Sequence, residues 1–149
     1  MTLDKTGVLV TCGSCGTTNR LKFDALDRAT QCGKCHTALP LPAEPIDVTS
    51  AELFDAATTA SSVPVIVDFW AAWCGPCRMV APEVKKAAAH LAGRALVLKV
   101  DTDANQELSA RFNIRSIPTI GVFQNGREIT RASGVKPAAA IEAMLPRAA

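Results

Sequence analysis

The sequence lacks any excess of one charge. Its 149 residues hold 16 Lys and Arg against 14 Asp and Glu. A cut near residue 45 leaves both parts balanced, 5 against 4 before it and 11 against 10 after it. A basic face for nucleic acid is therefore not expected. The region before the cut also has a single aromatic residue, Phe23, too few to stack bases. A long apolar run is missing too. The densest, PVIVDFWAAW at 64–73, is broken by Asp68 and falls well short of the about 20 residues that cross a bilayer. The stretch MTLDKTGVLVTCGSCG at the start has no apolar core of the secretory kind. A soluble, cytoplasmic protein is expected. Its 48% hydrophobic and 20% charged residues are enough for a packed core. In a reducing compartment the six cysteines are expected to bind metal or cycle electrons rather than staple the fold.

The cysteines divide the chain. Four lie in residues 1–39, among turn residues with little periodicity. PLPAEP (40–45) follows as a stiff, extended linker, because proline restricts the residue before it. From 46 to 149, strand and helix signals alternate. Thr49 with Glu52 three positions on predicts a capping box and a helix over 49–60. The β-branched run 64–70 reads as a strand buried on both faces, and 95–100 as another. Between them a helix over 77–92 carries Val80, Val84, Ala87, Ala88 and Leu91 on one side, with a kink expected at Pro82. A short helix follows at 104–112. Strands at 117–123 and 127–132 flank Asn125-Gly126, which suits a type I′ hairpin turn, and Gly121 inside the first marks a close approach. A helix over 137–145, with Pro137 in its first turn, ends the pattern. The class is α/β: a central sheet flanked by helices, mixed because the last hairpin is antiparallel.

Three C-x-x-C pairs occur, in different contexts. Cys12, Cys15, Cys32 and Cys35 form two C-G-x-C turns separated by 16 residues, the spacing of a four-cysteine zinc site. Each turn lets two sulfurs converge on one ion, with its glycine relieving the backbone, and two turns complete a tetrahedron. So short a region has too small a core of its own, and one Zn2+ is expected to contribute its folding free energy. Two ordinary disulfides or free thiols are the alternative for these four. The third pair, in WCGPC at 73–77, follows a buried strand and opens a helix. A helix N-terminus stabilises a thiolate. Cys74 is therefore expected to be the exposed nucleophile and Cys77 the more buried resolving thiol. Asp68 lies in an apolar strand six residues earlier; burial would raise its pKa and fit it to accept the Cys77 proton. Lys99, in the next strand, could hold that carboxylate from one side, or could be a snorkelling lysine with no part in the chemistry. Met79, beside the dithiol, reads as a packing residue or as part of the substrate surface.

FWAAWCGPC, with Asp68 upstream and RSIPT (115–119) and QNG (124–126) downstream, resembles the thioredoxin family over residues 46–149. The resemblance implies the thioredoxin fold, with Cys74 as nucleophile, Cys77 as resolver, and Asp68 with Lys99 as a buried proton-transfer pair. It implies active-site tryptophans at Trp70 and Trp73 and turns at Gly126 and Gly134. It also implies a cis-proline at Pro118 that leaves the preceding backbone, at Ile117, free to pair with a substrate strand. The substrate-contacting set is then Trp73, Gly75, Pro76, Ile117, Pro118 and Gly134. Ser133 and Gly121 depart from the family, each standing where a larger apolar residue is usual, and Ser133 bears on substrate preference. VTCGSCGTTNRL and ELSARFNIRSIPTI narrow the resemblance to the zinc-containing bacterial thioredoxins.

The activity implied is general protein-disulfide reduction by a monomer with no organic cofactor. Its partners would be an NADPH-dependent thioredoxin reductase and disulfide-containing client proteins, neither nucleic acid nor membrane. An oxidant or isomerase on the same fold is one alternative, against which Gly75-Pro76 between the cysteines speaks. A zinc-ribbon binding module with secondary redox activity is another. In a further reading the zinc thiolates themselves oxidise, release the metal and alter the catalytic domain.

Overall fold

The computed structural model describes residues 1–147. It opens with a three-stranded antiparallel sheet of β1 (Thr2–Leu3), β2 (Gly7–Thr11) and β3 (Thr18–Lys22). A 3-10 turn, Phe23–Ala25, leads to a small ribbon of β4 (Thr30–Gln31) and β5 (Ala38–Leu39). Then come β6 (Ile46–Asp47), α1 (Ala51–Ala60), β7 (Val65–Trp70), α2 (Gly75–His90) and β8 (Leu96–Asp101). The chain continues with α3 (Gln106–Arg111), β9 (Thr119–Gln124), β10 (Arg127–Ser133) and α4 (Ala138–Glu142). Strands β6 to β10 build one sheet in the order β10-β9-β7-β8-β6. β6 and β7 run parallel to β8, while β9 is antiparallel to both β7 and β10, so the sheet is mixed as expected.

Local chemistry explains most boundaries. Ser50, not Thr49, caps α1: its hydroxyl accepts from the Leu53 N–H at 3.2 Å, and its backbone is extended as an N-cap must be. Glu52 then sits in the first turn, where its charge suits the macrodipole. α2 starts two residues earlier than predicted and runs through Pro82 to His90 without interruption. At the hairpin, Asn125 (φ 53°) and Gly126 (φ 78°) are both left-handed, as a type I′ turn requires. A side chain at Gly121 would meet the Phe123 ring at 3.0 Å, which is the expected close approach. α4 ends at Glu142, with Pro137 as its N-cap rather than inside its first turn. The two-residue β6 was not foreseen.

Strand alternation sorts the core into two layers. Val65, Val67, Phe69, Leu98 and Val100 pack with Phe54 and Ala57 of α1 and Leu108 of α3. Ile66, Val97, Ile120 and Val122 pack with Val80 and Val84 of α2 and Ile141 of α4. By the same alternation Asp68 and Lys99 face α2.

The four-cysteine region shares the first of these layers. Phe23 and Leu26 are buried in the same cluster as Phe54 and Phe69. The Ser62 N–H donates to the Phe23 carbonyl at 2.8 Å, and the Ser62 hydroxyl accepts from the Leu26 N–H at 3.2 Å. The proline-rich stretch lies against the body as well, with Pro42 buried and Leu41 packed on Gly93. Phe23→Ala is expected to cost about 3–4 kcal/mol, as core Phe truncations do. Both tryptophans, Trp70 and Trp73, lie far along the chain from Phe23. A urea titration read by their fluorescence should nonetheless shift to lower urea; an unmoved tryptophan transition would mean that residues 1–39 fold independently.

Candidate active site and metal centre

β7 ends at Trp70, whose carbonyl accepts from the Thr102 N–H (2.8 Å) and hydroxyl (3.1 Å) just beyond β8. The chain then turns and enters α2 with Cys74 as its N-cap, Sγ accepting from the Cys77 N–H at 3.2 Å. Pro76 lies in the first turn, where a missing N–H costs no helical bond. Cys74 and Cys77 are disulfide-bonded, with Cα atoms 5.3 Å apart. Each is only 3% exposed. The expected contrast of exposed attacker and buried resolver is therefore absent in this oxidised state. Capping turns the Cys74 sulfur toward the helix end, and Ile117 covers it, its carbonyl oxygen 3.7 Å from Sγ. What distinguishes Cys74 is the helix N-terminus itself, with a backbone N–H aimed at its sulfur.

The Ile117–Pro118 peptide is cis. The Gly134 N–H donates to the Pro118 carbonyl at 2.9 Å, tying this loop to the end of β10. The Ser133 hydroxyl lies 3.0 Å from that of Thr119 and 3.3 Å from that of Ser116. The departure at Ser133 thus puts a hydroxyl cluster behind the cis-proline. Trp73 is 68% exposed, and its Nε1 donates to Asp103 at 2.9 Å. Sequence reasoning missed Asp103. The available signal was that parallel neighbours β7 and β8 bring their following loops together. Met79 is exposed too, which fits the second of its two readings, a place on the surface, and not the packing one.

Asp68 is 1% exposed, and its Oδ1 has no hydrogen-bond partner. Burial pushes its carboxyl up to about 6, against the opposing pull of the Lys99 charge. Lys99 stands opposite it in register but does not hold it directly. The ammonium rests over the Trp70 ring, 4.5 Å from the centroid, and acts on the carboxylate through space. A cavity of about 220 Å³ brings Asp68, Lys99, Trp70 and Cys77 to one space.

The other four cysteines converge elsewhere. Their sulfurs all lie within 4.8 Å of one another, with Cys12–Cys35 and Cys15–Cys32 at 3.6 Å each. A tetrahedral zinc with Zn–S of about 2.3 Å sets S···S edges near about 3.8 Å, so this donor set fits one. The two turns repeat each other. The Cys12 and Cys32 N–H groups donate to the Thr17 and Thr37 carbonyls at 2.8 Å, and Gly16 and His36 are left-handed. The residue that relieves each turn is thus the one after its second cysteine, not Gly13 or Gly33. Hydrogen bonds from the Cys35 backbone, the Asn19 amide and the Lys34 backbone pull the Cys32 thiol down to about 5. Such donors favour the thiolate that a metal needs.

A thioredoxin family model matches residues 44–147. Thioredoxin C-3 of Corynebacterium nephridii is 42% identical over 127 residues, 85% of this chain and 86% of its own. That span exceeds the family match and the two residues after it, so it reaches into the four-cysteine region. The bifunctional thioredoxin reductase/thioredoxin of Mycobacterium leprae is 45% identical over 96 residues, 64% of this chain but 21% of its own length. Among solved structures, a mutant thioredoxin from Halobacterium salinarum superposes with a TM-score of 0.64 at 33% identity, covering 70% of this chain and 89% of its own.

The raised carboxyl has a stability consequence with a definite sign. The unfolded Asp68 ionises near 3.8 and the folded one near about 6. Stability therefore falls as pH rises through this window, and the loss is complete above it. Asp68→Asn is expected to stabilise the oxidised protein at pH 8 by on the order of 3 kcal/mol, and to change it little below about pH 4. Urea midpoints at the two pH values check this. An equal effect at both would mean that Asp68 ionises normally.

Proposed function

The chain belongs to the thioredoxin family, and on that premise we propose that it is a general protein-disulfide reductase of the zinc-containing thioredoxin type. The observation that carries the reading is the dithiol's seat: Cys74 caps α2 beside the cis-Pro118 loop, with Asp68 in a cavity next to Cys77.

In the reduced protein the Cys74 thiolate, stabilised by the helix N-terminus, attacks one sulfur of a client disulfide. The client S–S bond breaks and one client sulfur leaves as a thiolate, which takes up a proton. Cys77 then gives its proton to Asp68 and attacks the Cys74 sulfur. The Cys74–Cys77 bond forms, the mixed disulfide breaks, and the second client sulfur departs as a thiolate, which takes up a proton. Two electrons have passed to the client, and an NADPH-dependent thioredoxin reductase returns them. The fusion of such a reductase with a thioredoxin in the Mycobacterium leprae relative supports this pairing. The client strand would meet Trp73, Gly75 and Pro76 on one side and the Ile117 backbone, Pro118 and Gly134 on the other. Lys99 moderates the charge on Asp68.

Residues 1–39 form the zinc-binding module in this reading, 40–45 its connector and 46–149 the thioredoxin domain. Cys12, Cys15, Cys32 and Cys35 hold one Zn2+, which locks the two turns together; the support is the convergence of their sulfurs. Among the described residues no helix is long and apolar enough to cross a membrane. A monomer in the cytoplasm, where thiolates persist, suits both sulfur sites.

Insulin-disulfide reduction tests the assignment. Cys74→Ser should reduce turnover to background. The wild-type potential should fall near about −270 mV, where thioredoxins lie, rather than near about −120 mV, where strong dithiol oxidants lie. Undiminished turnover in the variant, or a potential near the oxidant value, would overturn it.

A further inference from the structure

Asp68 must hand its proton on to water after each turnover, yet it is buried. A second cavity, about 530 Å³, lies on the α2 side of the sheet at its β6 edge and reaches it. Six charged side chains line this space: Asp68 from β7, Lys99 from β8, Asp47 from β6, Glu44 from the connector, and Arg78 and Lys85 from α2. Strand register orders three of them. Lys99 stands directly opposite Asp68 on one side and directly opposite Asp47 on the other. Residues in register share a face of the sheet. The result is a row of acid, base and acid, with Asp47 exposed, Lys99 half-buried and Asp68 buried. At about 4.8 Å per strand the backbone positions of the two acids stand roughly 10 Å apart, with that of the lysine between them. None of the ion pairs among the described residues involves Lys99. With its ammonium on the Trp70 ring, it acts on Asp68 through space. Glu44, Arg78 and Lys85 are exposed, as Asp47 is, but none of the three stands in register beside Lys99.

We propose that Asp47 is a positioning residue for the proton acceptor: from the far side of Lys99 its carboxylate attracts the ammonium toward the β6 edge, and so weakens the lysine's hold on Asp68 during the Cys77 proton transfer. Without it the ammonium would lie nearer Asp68, favour its ionised form and make it a weaker proton acceptor. The role in transfer rests on the reductase reading; the charge row does not.

The test is the titration of Asp68 in the oxidised full-length protein, followed by carboxyl carbon-13 NMR. Asp47→Asn is expected to lower the midpoint by about half a pH unit, and Asp47→Glu to keep it within about 0.1 unit of wild type. In a Lys99→Gln background the Asp47→Asn shift should shrink at least about twofold, because no ammonium is left for Asp47 to attract. An unmoved midpoint in Asp47→Asn, or the same shift with and without Lys99, overturns the proposal. Insulin reduction by the wild type is measured alongside. Its absence would remove the reductase reading while leaving the titration result to stand or fall separately.

Discussion

β7 is hydrogen-bonded along both edges, to β8 and to β9, and the rest of the site depends on that central seat. A central strand is covered on both faces, so Asp68 loses its water and its carboxyl stays protonated to an unusually high pH. The same seat decides what meets at the strand's end. β8 is parallel, so the loop after it, with Thr102 and Asp103, arrives beside Trp70 and Trp73. β9 is antiparallel, so its first residues lie there as well, with Phe69 opposite Thr119. Dithiol, indole and cis-proline are neighbours because three adjacent strands end or begin at one place. Sites at the carboxyl ends of sheet strands follow the same logic in other α/β folds.

One spacing suits two chemistries because the backbone around it differs. In α2 a helical turn ties Cys74 to Cys77 and to no other sulfur, and the helix end lowers the cost of a thiolate. In the N-terminal turns a left-handed residue after the second cysteine reverses the chain. Two such turns then face each other, and four sulfurs meet instead of two. The first geometry favours a bond that opens and closes; the second favours a shared cation.

Much of this was legible in the sequence. The buried strands announced themselves by unbroken β-branched runs, the final hairpin by Asn125-Gly126, and the redox pair by its place between strand and helix. What could not be read has physical causes. A two-residue strand such as β6 carries no periodicity, so the row from Asp47 to Asp68 was invisible. Thr49 and Ser50 are both good caps, and only the backbone angles choose between them. The Ser62 bonds to Phe23 and Leu26 span more than 30 residues and obey no local rule. The burial of Cys74 depends on a loop that arrives from Ile117, more than 40 residues on.

The account stands on the division of six cysteines into a cycling pair and a fixed quartet. Native mass spectrometry with thiol counting, on oxidised and reduced protein, addresses it most directly. The expected result is one zinc retained in both states, with two thiols gained on reduction and the other four unreactive until the metal is chelated. Protein that carries no zinc, and whose six cysteines all exchange among disulfides on oxidation, would contradict it.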